Sequence, residues 1–369
     1  MPINSAISLT KVFSHSQLLL FSEQVFLKSG FSVEDSKLCA KLLTRADIRG
    51  VDSHGVARLS GYIRLIKAGR LNPNPSFKWY SGFPTLHTLD ADKSIGFLSA
   101  NTAMEKCILT AETYGCGMVA VKNSNHFGIA GQYALMAAEK GMIGMAFTNA
   151  SPLVAPTHSS ERMLGTNPIA VAIPSLHSKP FVLDMATTTA ANGKLEILQR
   201  KELMAPSGWI QKSDGTDSLD PNELRTGGAL RPLGSFPDLG SHKGYALGSL
   251  VDILSGVLSG ANFGPWVPPF VSFLPLSADS VGEGIGHFFI AFRPDGFIPQ
   301  EEFLTRMEKW MEAFRSSQKI SNEEVLVPGD PEWELEKVRG ENGIPLLHAV
   351  IHDLNQLASE LSLPPFAVL

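Results

Sequence analysis

The sequence predicts an α/β protein whose sheet mixes parallel and antiparallel strands. Two successive segments place a helix, a glycine and an apolar strand in that order. A helix over about 95–114 stops at Gly115 and feeds Gly117-Met118-Val119-Ala120-Val121-Lys122, and one over about 131–140 stops at Gly141 and feeds Ile143-Gly144-Met145-Ala146-Phe147. Such alternation packs helices against a sheet. A third observation argues against purely parallel pairing: Ile169-Ala170-Val171-Ala172-Ile173 and Phe181-Val182-Leu183-Asp184 are short strands around a Pro-bounded turn, the pattern of a hairpin.

The other elements follow in order. The first 70 residues read as helices over about 14–28, over 33–48 behind the capping-box spacing Ser32-x-x-Asp35, and from His54 to near Gly69. Pro73, Pro75 and Pro84 close this helical block. Residues 204–241, rich in Gly, Pro, Ser and Asp, read as a long functional loop before a helix over 244–258. A Pro-rich stretch to Pro275 precedes a strand over 287–292, and the last 70 residues return to helices. No internal repeat or low-complexity tract is visible.

With 369 residues and 44% hydrophobic content, the chain can bury a large core as two domains or one with excursions. Its formal net charge of −5 comes from mixed acids and bases without long runs, which disfavours nucleic acid and a polybasic membrane contact. Small-molecule chemistry is what remains. Cys39, Cys107 and Cys116 show no C-x-x-C spacing, so neither a disulfide framework nor a zinc knuckle is indicated and a reducing cytoplasm fits. The N-terminus lacks a basic leader region and a small-residue cleavage site, and no apolar stretch is long enough to span a bilayer.

The most informative stretch is Gly50-Val51-Asp52-Ser53-His54-Gly55-Val56-Ala57-Arg58-Leu59-Ser60-Gly61-Tyr62, which spaces His54, Arg58 and Tyr62 four residues apart along an expected helix. One face then carries a proton donor titrating near neutrality, a carboxylate clamp and a phenol, with Val56, Leu59, Ile63 and Ile66 behind them. This is equipment for holding and protonating a small oxo acid; a solvated polar face is the alternative. Gly55 lets the backbone approach a ligand closely.

His126 lies in Ser124-Asn125-His126-Phe127-Gly128-Ile129-Ala130-Gly131, after a strand and before a helix, where α/β sites assemble. It is a second acid/base candidate, or a loop histidine bonded to backbone. Ser241-His242-Lys243-Gly244-Tyr245 opens a helix, where free amides and a Lys favour an anion such as a pyrophosphate; an ordinary surface helix start looks similar. Asp184, ending a strand, suits either a ribose hydroxyl or the cap of a helix beginning near Thr189. Gly282-Glu283-Gly284-Ile285-Gly286 precedes a strand instead of following one, so these glycines read as loop and turn rather than a dinucleotide fingerprint, and no Walker A sequence occurs. His348 and His352 have metal-like spacing but no Glu between them, and no metal is expected.

Together these segments resemble the malate/L-lactate dehydrogenase family that is distinct from Rossmann-type enzymes and also contains sulfolactate, ureidoglycolate and diketogulonate dehydrogenases and cyclic imino acid reductases. The match rests on Asp52-Ser53-His54-Gly55 with Arg58, Asn123-Ser124-Asn125-His126-Phe127-Gly128, Leu164-Gly165-Thr166-Asn167-Pro168, Val182-Leu183-Asp184-Met185-Ala186, His242-Lys243-Gly244-Tyr245 and Val327-Pro328-Gly329-Asp330-Pro331. The resemblance implies a non-Rossmann nicotinamide-binding fold with a mainly antiparallel mixed sheet and a helical domain built from both chain ends. Residues 1–80, 120–142 and 315–369 would form the helical substrate and dimer domain, and 81–119 with 143–314 the cofactor-binding sheet domain.

The resemblance further implies His54 as proton donor and acceptor, with His126 holding that role in some members, and a substrate held by Ser53 and Arg58. Cofactor contacts are implied at Ala150, at Asp184, Met185 and Ala186, at His242 and Lys243, and at Gly329, Asp330 and Pro331. Likeness to malate-like members makes malate/oxaloacetate the leading pair, with lactate, sulfolactate, ureidoglycolate and cyclic imino acids as alternatives and a catalytically silent carboxylate- or nucleotide-binding protein as the rival class. NAD is favoured because no basic cluster follows the Asp184 strand, with NADP the alternative, and a homodimer is implied. Ser235-Phe236-Pro237-Asp238-Leu239 looks like an insertion just before Lys243.

Overall fold

Burial along the strands sets the architecture of the protein, seen here in a computed structural model that describes residues 10–320 and 322–366. Residues 1–9, on which the reading of the N-terminus partly rests, lie outside the described residues. The chain runs β1 (Thr10–Phe13), α1 (His15–Lys28), α2 (Val33–Ile48), α3 (Leu59–Lys67), β2 (Lys78–Phe83), β3 (Leu86–Asp90), α4 (Gly96–Tyr114), β4 (Cys116–Ser124), α5 (Gly131–Ala138), β5 (Ile143–Thr148), β6 (Ile169–Ile173) and β7 (Phe181–Met185). It continues through α6 (Asn192–Arg200), β8 (Ile210–Gln211), β9 (Asp217–Ser218), β10 (Ala229–Leu230), α7 (Ser241–Asp252), β11 (Ile285–Phe292), α8 (Gln300–Arg315), α9 (Asp330–Asn342), β12 (Ile344–Leu347) and α10 (His348–Glu360).

The main sheet has seven strands in the order β2-β3-β4-β11-β5-β6-β7. Only β3 and β4 pair in parallel; the other neighbours are antiparallel, and β6 and β7 form the expected hairpin. The apolar run Ile285–Phe292 is buried almost throughout, which suits it to the centre, where it pairs with both β4 and β5. Exposed β2 takes one edge. Helices α4 and α5 cover one face, and the main core runs from α1 through α4 and α5 to α10. The expected domain boundary at 119/120 falls inside β4.

Local chemistry explains where elements start and stop. Ser14 and Gln17 form a capping box on α1, and Ser32 accepts the amide of Asp35 at 3.0 Å to open α2. Gly115 ends α4 at φ +84°, a conformation that costs residues with a Cβ.

The structure corrects several expectations. The third helix does not begin at His54: residues 52–55 form a turn, Val56–Arg58 a single 3-10 turn, and α3 starts only at Leu59. The cause is Asp47, a buried carboxylate that accepts the amide of Val56 at 2.9 Å and so ties this turn to α2. The helix expected over 244–258 begins at Ser241 and passes into a π-helical turn, Ile253–Val257. Residues 204–241 are not a structureless loop but hold the small sheet β10-β8-β9. The chain ends, expected to be all helical, meet through β1 and β12, with Phe13 paired to Ile344. Gly282 and Gly284 lie in the bend before β11, whereas Gly286 is the second residue of that strand, and a Cβ on Gly282 or Gly286 would meet a backbone oxygen of Ala261 or Ser255. Among the described residues no helix is long and apolar enough to cross a membrane.

Candidate active site

His54 and His126, far apart in sequence, are stacked with ring centroids 5.6 Å apart and planes 19° from parallel. His54 comes from the Asp47-tethered turn and His126 from the loop after β4. Gly55 is small here for a reason other than the expected one: a Cβ would lie 2.0 Å from Asp47 Oδ1, so the close approach is to a carboxylate of the fold and not to a ligand.

The two imidazoles are held differently. His54 Nδ1 lies 2.8 Å from the Ser53 hydroxyl. His126 Nδ1 lies 2.7 Å from the Tyr62 hydroxyl and accepts the Gly128 amide at 3.4 Å, while the Phe270 ring stacks on its face at 4.6 Å. Tyr62, expected to touch substrate, is fully buried with its hydroxyl on His126. Phe270 is in turn anchored by its amide to Ser151 Oγ at 2.9 Å and by its carbonyl to Arg64.

Crowding by protein pushes His54 down to about 4, helped by the Arg58 charge and opposed by Glu196. It does not titrate near neutrality as the sequence suggested. His126 is pushed well below the ordinary imidazole range by burial, then by His54, Arg58 and His287. Both rings are therefore neutral at pH 7, poised to accept or share a proton.

Arg58 sits at the start of α3. Its Nε donates to the Ser53 carbonyl at 2.5 Å, and its two terminal nitrogens meet Glu196 of α6, Nη1 to Oε1 at 3.1 Å and Nη2 to Oε2 at 2.7 Å. The clamp expected for substrate is thus filled by a side chain of the protein. Gly193 packs beneath, where a Cβ would fall 2.3 Å from Ser53 Cβ.

The residues expected to hold a cofactor divide into two sets. Ala150 donates its amide to Asn167 Oδ1 at 3.1 Å, and Asn167, buried at φ +34°, also reaches the Gly248 carbonyl at 2.9 Å. The Gly165-Thr166-Asn167-Pro168 motif therefore shapes the loop carrying Ala150 and Ser151. Met185 and Ala186 follow at the end of β7, and Asp184 caps a helix, though not the one near Thr189: its Oδ2 accepts the Gly131 amide of α5 at 2.7 Å. His242 and Lys243 are exposed on the first turn of α7, whose N-terminus has no side-chain cap.

Gly329, Asp330 and Pro331 have evident structural work. Gly329 adopts φ +101° before α9, the Pro328 carbonyl accepts the Val182 amide at 3.0 Å, and Asp330 pairs with Arg315 at 2.7 and 3.0 Å while accepting the Val327 amide at 2.9 Å. Two cavities border these segments. One of about 640 Å³ reaches Ser241 at the start of α7, and one of about 680 Å³ is lined by Lys179, Arg315, Asp330 and Trp333. His348 and His352 are exposed on α10, and no group of three metal-binding side chains exists among the described residues.

Sequence reading missed Glu196, Phe270 and Asp47. Glu196 and Phe270 lie outside any motif, and their partners Arg58 and His126 are more than a hundred residues away. Asp47 left a faint trace: an acidic residue eight before Gly55 on an otherwise well-packed helix.

Comparison with known proteins shows the family. The profile of the family described as malate/L-lactate dehydrogenase matches residues 13–355. Malate dehydrogenase of Pyrococcus horikoshii is 41% identical over 347 residues, covering 94% of each chain. L-sulfolactate dehydrogenase of Methanocaldococcus jannaschii is 34% identical over 339 residues, covering 92% of this chain and 94% of that one. The solved structure of the Pyrococcus horikoshii malate dehydrogenase superposes with a TM-score of 0.88 at 38% identity, covering 98% of this chain and 99% of that one. A seven-stranded, mainly antiparallel sheet, the two stacked histidines beside Arg58 and a match over nearly the whole length lead to one conclusion: this chain belongs to the malate/L-lactate dehydrogenase family.

Proposed function

We propose that the protein is an NAD-dependent 2-hydroxy acid dehydrogenase with malate and oxaloacetate as its preferred pair. The observation that carries this reading is the stacking of His54 on His126 beside Arg58, which gathers a proton acceptor, a hydrogen-bond donor and a carboxylate-binding fork at one place. Names of relatives covering more than nine-tenths of this chain support malate first and sulfolactate second.

The hydrogen bonds suggest separate roles for the histidines. The Gly128 amide can only donate, so His126 Nδ1 is an acceptor and its proton sits on Nε2, making neutral His126 a donor toward the substrate. Among the described residues no amide donates to His54 Nδ1, so its proton can face Ser53 Oγ and leave Nε2 as the base that takes the hydroxyl proton. Arg58 holds the carboxylate adjacent to the reacting carbon, since its fork matches both oxygens and stays charged.

The residues present fit a nicotinamide dinucleotide. The uncapped start of α7 beside exposed Lys243 offers amides and a cation to a pyrophosphate. When bound, the cofactor would take the hydride from the substrate carbon. In this reading the helical part of the chain carries the substrate residues and the sheet carries the cofactor. Exposed Leu250, Ile253, Val257 and Leu258 supply an apolar face suited to a homodimer, and three free cysteines suit the cytoplasm.

The test is a panel of oxaloacetate, pyruvate, sulfopyruvate and a cyclic imino acid offered with NADH and with NADPH, followed by loss of reduced-nicotinamide absorbance. Fastest turnover with oxaloacetate and NADH is expected. Cofactor binding without turnover on any acid would favour a silent binding protein.

A further inference from the structure

Arg58 has five N–H donors in one plane, and the structure accounts for those that matter. Nε is committed to the Ser53 carbonyl at 2.5 Å, which fixes the guanidinium against the His54 turn. Its outer edge, the Nη1/Nη2 pair, is committed to both oxygens of Glu196 at 3.1 and 2.7 Å. A planar guanidinium offers only two edges that grip a carboxylate with two parallel bonds, the Nη1/Nη2 edge and the Nε/Nη2 edge. One is filled by Glu196, and in the other the Nε–H is already donated to the Ser53 carbonyl. The donors left over cannot make a bidentate pair.

We propose that Glu196 occupies the seat of the substrate carboxylate and is displaced by it, so that Glu196 sets how strongly a ligand must bind Arg58 to enter. This rests on the reading of Arg58 as the substrate clamp. Glu196 is placed for exchange: its side chain is 22% exposed, against 14% for Arg58, so its carboxylate can rotate into water while the guanidinium stays. Asn192, one turn earlier on α6, donates to Glu196 Oε1 at 2.8 Å and holds the carboxylate in the closed arrangement. Beneath them Gly193 rests on Ser53, where no larger residue fits, so α6 is docked against the same turn that carries His54.

The exchange makes selectivity a difference between two carboxylates on one fork. A ligand with a single, weakly held carboxylate gains little by replacing Glu196. One that also engages His54 and His126 gains those contacts in addition. Because the substrate replaces Glu196 on binding, the cost falls equally on the ground state and the transition state, and the effect of removing it appears in KM rather than in kcat.

The experiment measures binding of oxalate by calorimetry, with and without saturating NADH, to the full-length wild type and to Glu196→Gln, Asn192→Ala and Arg58→Gln. Glu196→Gln keeps the size and one hydrogen bond but removes the charge, and should tighten oxalate about tenfold, with Asn192→Ala shifting it a few-fold in the same direction and Arg58→Gln abolishing it. KM for the hydroxy acid in Glu196→Gln should fall in parallel. Oxalate bound equally or more weakly by both Glu196→Gln and Asn192→Ala, with Arg58→Gln still abolishing it, would overturn the exchange and leave Arg58 as the clamp. Oxalate binding that is absent throughout or indifferent to Arg58→Gln would overturn the clamp itself.

Discussion

The Tyr62 hydroxyl lies 2.7 Å from Nδ1 of His126, joining the buried face of α3 to the loop after β4 and fixing one of the two histidines. Tyr62→Phe removes that partner inside a packed site. It should cost about 1 kcal/mol of stability and lower turnover about tenfold by letting the His126 ring rotate, as judged by denaturant midpoint and steady-state rates. Full activity in Tyr62→Phe would show that the Gly128 amide and Phe270 suffice to position the ring.

Arg58→Lys preserves charge but loses the planar fork and the Nε bond to Ser53. KM for the 2-hydroxy acid should rise on the order of tenfold or more, because an ammonium cannot make the parallel pair. An unchanged KM would mean that the clamp lies elsewhere.

Stability should depend on pH in a definite window. His54 is held at about 4 and His287 at about 3, both below the ordinary 6.5, by burial. His287 is enclosed between Thr148 Oγ1 at 2.7 Å and Ser124 Oγ at 2.8 Å. Between those values and 6.5 these two histidines bind more protons in the unfolded chain than in the folded one, so their contribution to stability rises with pH through this window and is lost as pH falls from 6.5 toward 3, while Asp184, raised to about 6, and Asp47, raised by burial, act in the opposite sense. The histidine contribution is measurable as an unfolding midpoint that falls with pH. In the same terms, kcat/KM for hydroxy acid oxidation should stay level from neutral pH down to about 5, where His54 is already neutral; an acid limb centred near 6.5 would contradict the depressed imidazole.

Gly55→Ala places a methyl group 2.0 Å from Asp47 Oδ1. The turn must move or the buried carboxylate must shift, at a cost of about 1–3 kcal/mol, and His54 moves with it. A denaturant midpoint equal to the wild type would show that Asp47 is free to relax.

Lys243→Ala should raise KM for the dinucleotide about tenfold through loss of one charge-assisted phosphate contact, while KM for the acid substrate changes little. Equal changes in both would place Lys243 at the acid and not at the cofactor.

Much of this was readable from the chain because it is written locally. Gly115 and Gly141 punctuate helix-to-strand joints, the Ile169–Ile173 strand alternates in burial, and apolar Ile285–Phe292 has no choice but the middle of the sheet. What was misread depends on contacts between distant residues. The spacing of His54, Arg58 and Tyr62 does suit a helix, but Asp47 holds the Val56 amide and breaks the periodicity before Arg58. Tyr62 has the composition of a substrate contact, and only the arrival of His126 from beyond β4 turns it inward. Glu196 fills the Arg58 fork from 138 residues away, a pairing that no local pattern announces. Strands β1 and β12 escaped notice because each is four residues long and gains its meaning from the other.

The most direct test of the catalytic role given to His54 is the rate of NAD reduction with malate by the wild type and by His54→Ala at saturating concentrations of both. The wild type should turn over malate, and His54→Ala should lose on the order of a hundredfold or more in kcat while keeping its cofactor affinity and unfolding midpoint. A His54→Ala enzyme running at the wild-type rate would contradict the account and move the proton transfer to His126.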